Sequence, residues 1–341
     1  MNQAADSLRK AASRRILIKD GAYGTEIQRR KLVEADYRGD LDLARDQKGN
    51  NDLLNVTRPA IVEDICRSFA DAGAEILATN TFNANRISLA DYGAEHLVGE
   101  INRAAVANTR KVADESEGDR WVAGAIGPTN KTLSISPDVT DPGYREVDFD
   151  QMVGVYAEQI EALAEGGVDF LLIETVFDTL NAKSAIMAAG RTAPDIPLML
   201  SMTITDMAGR NLSGHSIEAF WASVRHARPV TIGLNCSFGA DRLRPALAEL
   251  SNIADTLVMA YPNAGLPNEL GEYDQCPETT AEQVATWLDQ GIVNIVGGCC
   301  GTTPEHIAAM AEIAEGAEPR EIPARSTETF LAGLEPMTIA A

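Results

Sequence analysis

The stretch NIVGGCCGTTPEHI, residues 294–307, sets Cys299 and Cys300 side by side between glycines and ahead of a proline-opened helix. A third thiol, Cys236, stands in LNCSFG at the end of another apolar run. Three thiolates around one Zn2+ leave one of four tetrahedral positions open, which is the pattern of a catalytic metal site and not of a closed structural one. Neighbouring side chains of a regular strand point to opposite faces, so the adjacent pair can share a metal only where the backbone leaves the strand. Gly297, Gly298 and Gly301 permit that departure. Two other readings of the pair stay open on this ground: a vicinal disulfide, which demands an unusual backbone and leaves Cys236 unexplained, and two inert buried cysteines. Cys276, in YDQCPE, is a lesser candidate for a fourth ligand, and Cys66 reads as a small helix residue.

Sulfur ligands donate much negative charge, so such a zinc is a weaker generator of hydroxide than a histidine-ligated one. It is suited instead to holding a substrate thiol as thiolate. A thiolate attacks soft carbon, and methyl or alkyl transfer follows as the reaction class. Asp20 and Glu174 would then hold the ammonium of an amino-acid substrate, while backbone N–H groups or asparagine side chains such as Asn80 and Asn263 receive its carboxylate. Taken singly, Asp20, Asn80 and Asn263 are equally well explained as turn or cap residues. The histidines (His96, His215, His226, His306) fall in or beside helical patterns. Near His306, Thr303 reads as an N-cap with Pro304 at the first helical position. No phosphate-binding glycine motif is present, and Asp20 before GAYGTEI makes that segment a poor phosphate cradle.

These residues need a scaffold that brings strand ends together. Eight apolar runs recur: RILIKDG, EILATNTF, WVAGAIGP, DFLLIETV, PLMLSMTI, TIGLNCS, TLVMAYPN and IVNIVGGCC. Runs this continuous suit strands buried on both faces of a parallel sheet. Helical patterns such as PAIVEDICRSFADAG and DFDQMVGVYAEQIEALAEGG lie between them and end on glycine. Eight β/α alternations predict a closed (β/α)8 TIM barrel, with a doubly wound sheet as the runner-up. The strand ends then carry Asp20, Asn80 with Thr81, Gly127, Glu174 with Thr175, Thr203, Asn235 with Cys236, Asn263, and Cys299 with Cys300. Two long polar connections, 21–57 and 128–148, follow strand ends and are expected to cover the site. The expected division is an extension over 1–14, the barrel over 15–320, and a linker and tail over 321–341.

Composition narrows the partners. With 45% apolar and 23% charged residues in 341, the chain is an ordinary folded protein. A net charge of −21 and the lack of a compact basic run argue against nucleic acid. The N-terminus lacks a hydrophobic signal segment and no run is long enough to span a membrane, so a cytoplasmic location is expected. Five scattered cysteines do not make a disulfide framework.

The set DGAYGTEIQ, GNNDLLNVTRP, ATNTFNAN, GAIGPTN, LLIETVFDTLNAK, SMTITDMAGRNLSGHS, IGLNCSFGA, YPNAGLPN and VGGCCGTTPEHI resembles the homocysteine-binding region of cobalamin-dependent methionine synthases, from about residue 15 to about residue 320. The wider homocysteine S-methyltransferase family shares the NC and GGCCG cysteines, whereas GNNDLLNVTRP and TITDMAGRNLSG look like the cobalamin-dependent branch. The resemblance implies a (β/α)8 barrel, zinc on Cys236, Cys299 and Cys300, and homocysteine as the methyl acceptor. It also implies that Asp20 and Glu174 contact the amino-acid moiety, and that Asn263 lies beside the metal and fills its open position when substrate is absent. In that branch methylcobalamin, regenerated from methyltetrahydrofolate, supplies the methyl group, so partner modules binding cobalamin and folate are expected on another chain or on the remainder of a longer one. Betaine or S-methylmethionine as donor, and a non-catalytic zinc- or thiol-binding subunit, are the alternatives.

Overall fold

A computed structural model of the protein describes residues 2–269 and 271–339. The eight apolar runs become β1 (Leu17–Ile18), β2 (Ile76–Ala78), β3 (Trp121–Ile126), β4 (Phe170–Val176), β5 (Leu198–Met202), β6 (Thr231–Gly239), β7 (Leu257–Asn263) and β8 (Ile295–Val296). All pair in parallel, in the order β1-β8-β7-β6-β5-β4-β3-β2. A bridge between Lys19 and Ile76 joins the two ends, with Glu75 N–H donating to Ile18 O at 2.8 Å and Asp20 N–H to Ile76 O at 3.0 Å. The sheet is therefore a (β/α)8 barrel, and the open doubly wound alternative falls away.

Alternation along the strands divides the core in two. Trp121, Ala123 and Ala125 of β3 face inward with Phe170, Leu172, Met199, Met259, Tyr261 and Ile295, while Val122 and Ile126 face the outer helices. At the N-terminal end of the strands the interior is closed by a helix, Gln3–Ala12, whose residues Ala5, Leu8 and Ala12 pack into the inner cluster. Asn2 caps it, its side chain accepting the Ala5 N–H at 3.1 Å. The segment expected as a plain extension is thus a plug.

Arg320 seals the same end. Its buried guanidinium donates to the carbonyls of Ser251, Ala254 and Thr256, and its own carbonyl accepts from Asn294 Nδ2 at 2.8 Å. Beyond it, where a linker and tail were expected, the chain forms an antiparallel hairpin of β9 (Thr329–Ala332) and β10 (Pro336–Ile339). The hairpin lies on the helix Ile217–Val224, with Ser216 N–H donating to Leu334 O at 3.0 Å.

The two long connections differ. Residues 21–57 carry short helices, and Leu43 and Leu53 join Ala84, Leu89, Leu97, Val98 and Ile101 in a small apolar core of their own. Polar as the segment reads, its widely spaced leucines meet across it. Residues 128–148 are held at their base by Asp178, which accepts from Leu133 N (3.0 Å), Ser134 N (2.8 Å) and Ser134 Oγ (2.6 Å).

Candidate metal centre and substrate cavity

Cys236, Cys299 and Cys300 converge at the C-terminal mouth of the barrel, their sulfurs all within 4.8 Å of one another and those of Cys236 and Cys300 3.9 Å apart. No disulfide joins them. Two backbone devices make this possible. After β8 the chain turns at once: Cys299 N–H donates to Pro262 O at 2.8 Å, Thr302 N–H to Cys299 O at 3.0 Å, and Gly301 sits at φ 79°. A Cβ on Gly298 would lie 2.3 Å from Thr302 Oγ1, so only glycine fits this turn. On β6 the device is strain. Cys236 and Ser237 both stand at φ 62°, and the pairing with β7 slips between Asn235 and Gly239, which swings the thiol off the strand toward the pair.

The donors suit a soft or borderline divalent cation. Sulfurs on a tetrahedral zinc with bonds of about 2.3 Å stand about 3.8 Å apart, close to the Cys236–Cys300 separation. The thiols share protons unequally: Cys236 is pushed down to about 3 by hydrogen bonds from Cys299 and Cys300. Those bonds in turn push Cys300 up to about 11 and Cys299 well above the ordinary thiol. A divalent ion is what would allow all three to ionise.

Beside the thiols lies a cavity of about 330 Å³, lined among others by Lys19, Asn51, Asp52, Asn80, Glu174, Tyr261 and Tyr273. This is the size of a small-molecule site. Glu174 accepts from Tyr261 Oη at 3.0 Å; burial raises its pKa, against the pull of Lys19. Asn80 lines the wall and is held by its amide, which donates to Asn51 O at 2.8 Å. Asp20, expected at the surface of the site, is fully buried behind it. One oxygen takes Lys19 Nζ at 2.7 Å and the other the Ala78 N–H at 2.7 Å. Asn263 stands against the cluster, but its Oδ1 accepts the Cys300 N–H at 3.1 Å, so it braces the ligand turn. His306 is tied to Thr303 and to Gln275 O at 2.9 Å, away from the chemistry, and Thr303 is the N-cap expected there. Cys276 is exposed on the surface and lies outside the thiol cluster.

Two contributors, Lys19 and Tyr261, were not singled out from the sequence, and a third, Asn235, was placed at a strand end without a role. Lys19 interrupts the apolar run RILIKDG, and that interruption was the available signal. Tyr261 follows Met259 at the spacing of inward-facing residues, and its ring lies 4.6 Å from Lys19 Nζ. Asn235 ties β4, β5 and the ligand turn together: its Oδ1 accepts from Thr175 N (3.1 Å) and Ser201 Oγ (2.7 Å), and its Nδ2 reaches Cys299 Sγ at 3.9 Å. Thr175, held this way, stands at φ 59° directly after Glu174.

Fold and site together define a barrel enzyme with a thiol-lined mouth. The model of one family, the homocysteine S-methyltransferases, matches residues 17–314, and the chain belongs to that family. Membership makes it a methyltransferase acting on homocysteine. The chain is similar to the homocysteine methyltransferase MmuM from Escherichia coli in its oxidised and its metallated forms, each at 22% identity and TM-score 0.71 over 91% of this chain and 99% of that one. Against the apo form of the same enzyme the TM-score is 0.63 at 22% identity, over 87% of this chain and 95% of that one. At this identity the likeness speaks to the fold. Among the described residues, no helix is long and apolar enough to cross a membrane.

Proposed function

We propose that this chain is a cytoplasmic enzyme that binds zinc through Cys236, Cys299 and Cys300 and holds homocysteine beside it as thiolate. It methylates that thiolate to methionine with a methyl group from methylcobalamin carried by a separate module. The observation that carries the reading is the convergence of three thiols within 4.8 Å on the wall of a cavity that also presents Glu174. Zinc, when bound there, supplies the positive charge and open position that lower the pKa of the substrate thiol. The remaining work falls to the chain. Glu174, oriented by Tyr261, accepts the substrate ammonium. Asn263 and Asn235 keep the ligand turns in register, and Asn80 forms part of the wall along which the substrate lies.

The motifs shared with the cobalamin-dependent branch support methylcobalamin as donor. The test is a mixture of zinc-loaded protein, homocysteine and methylcobalamin, followed by the loss of methyl-cobalt absorbance. No change above a Cys299→Ala control would sink the donor assignment. A second reading, with betaine or S-methylmethionine as a free donor, has its support in the match of residues 17–314 to the model of the wider homocysteine S-methyltransferase family. Methionine formed from either small donor, and none from methylcobalamin, would decide for it. Bound zinc without turnover from any donor, with the partner module supplied, would leave a non-catalytic subunit.

A further inference from the structure

Two carboxylates line the substrate cavity among the described residues, Glu174 and Asp52. Glu174 is engaged by Tyr261, whereas Asp52 has no part in the reading above. It lies on the short turn Asn51–Leu53 and is only 4% exposed. Its Oδ1 accepts the Asn83 N–H at 3.0 Å, and among the described residues no side chain donates to it or pairs with it. Burial raises its pKa to about 7, against the pull of the Asn83 amide and its own. Asp52, Phe82 and Asn83 also line a second cavity, of about 370 Å³, together with Asn50, Tyr92 and Asn130. Asn83 and Asn130 are exposed, so this second space opens to solvent. Asp52 therefore stands between a cavity lined by three thiols and one that reaches water. The charged or titratable groups that share its cavities are Lys19, Glu174, the tyrosines and the thiols on one side and Asp91 and Tyr92 on the other.

Homocysteine arrives as a thiol and must shed one proton before its sulfur can attack, and the three cysteines cannot take that proton while they hold a metal ion. We propose that Asp52 is the proton acceptor of the methyl transfer, taking the proton of the substrate thiol and returning it to water through the second cavity. The S–H bond breaks with its electron pair left on sulfur. That pair forms the new S–CH3 bond, while the bond between methyl group and donor breaks with its electrons left on the donor. The thioether product holds no proton, so the one on Asp52 leaves to water when the cavity empties. Transfer runs equally through one intervening water, so the carboxylate need not touch the sulfur. Substrate filling the cavity strips the remaining water from Asp52 and raises its proton affinity further. The assignment rests on the homocysteine reading above and adds the destination of the proton.

Homocysteine binding to the zinc-loaded full chain, measured by calorimetry in buffers of different ionisation enthalpy, counts the protons released. At pH 8 the wild type is expected to release almost none, because ionised Asp52 keeps the thiol proton, whereas Asp52→Asn releases about one. At pH 6, where Asp52 already carries a proton, both release about one. In the same titrations the affinity of the wild type should rise about tenfold per pH unit below pH 7 and level off above it, while that of Asp52→Asn keeps rising to pH 8. Asparagine retains the acceptor for the Asn83 N–H, and a melting curve confirms that the variant folds. Asp52→Ala gives up that contact as well and should match the asparagine variant in its proton count, which a bracing role alone would not produce. Equal proton release at pH 8 by the wild type and both variants would overturn the assignment while leaving homocysteine as substrate. Failure of the wild type to bind homocysteine would overturn both.

Discussion

The two ends of the barrel are made of different materials. At the N-terminal end, Leu8, Leu17, Ile76, Phe170 and Ile295 fill the interior, a helix plugs it, and Arg320 satisfies three carbonyls. At the C-terminal end stand buried Lys19, Asp20, Asp52 and Glu174, three thiols, and residues Thr175, Cys236 and Ser237 in left-handed backbone. Burial of apolar surface stabilises the first end, whereas buried charge and backbone strain cost stability at the second. One end of the same sheet supplies the stability that the other consumes in holding reactive groups close together.

The contrast breaks most sharply at the thiols. Cys236→Ala and Cys299→Ala are each expected to abolish stoichiometric metal, read by mass spectrometry, and to lower turnover about 1000-fold or more, while the melting temperature stays close to that of the wild type. Leu8→Ala at the opposite end should do the reverse. It removes a fully buried side chain and is expected to lose about 2–5 kcal/mol in urea unfolding, with metal content unchanged.

Asp52 tests the cost of polarity at the mouth. Burial raises its pKa from 3.8 to about 7, so between those values the folded chain binds a proton that the unfolded chain releases. Its contribution is neutral below about pH 4, and stability falls as the pH rises toward 7. Asp52→Asn should therefore be more stable than the wild type by roughly 2–4 kcal/mol at pH 8, with the gap closing by about pH 4, as read from chemical denaturation across pH. The smallest effect compares like with like. Arg228, exposed at the N-terminal end, adopts nearly the same left-handed backbone, at φ 49°. Arg228→Gly should be neutral or gain up to about 1 kcal/mol, because no function depends on the strain there.

Much of this was legible beforehand for a physical reason. Strands buried on both faces are continuous apolar runs, and the polar residues that stop them are the ones a barrel gathers at its mouth. That is why Cys236, Cys299, Cys300, Glu174 and Asn80 could be placed together. What escaped depends on direction, not on type. Asp20 and Lys19 are neighbours, and nothing in IKDG says that the lysine faces the cavity and the aspartate turns toward β2. The left-handed turn at Cys236 has no glycine to announce it. The plug helix buries only Ala5, Leu8 and Ala12, too narrow a stripe to stand out in a polar segment. The hairpin of β9 and β10 lies mostly exposed and shows no buried alternation.

The plug at the bottom of the barrel also governs traffic. With Leu8 and its neighbours filling the floor, the thiol cluster and the cavity beside it are approached from the mouth of the barrel. Acceptor and methyl donor must use one doorway. Under the proposed reading, a donor carried on a bulky module would stopper that doorway on arrival, so homocysteine would have to be seated first and methionine would leave only after the module had withdrawn.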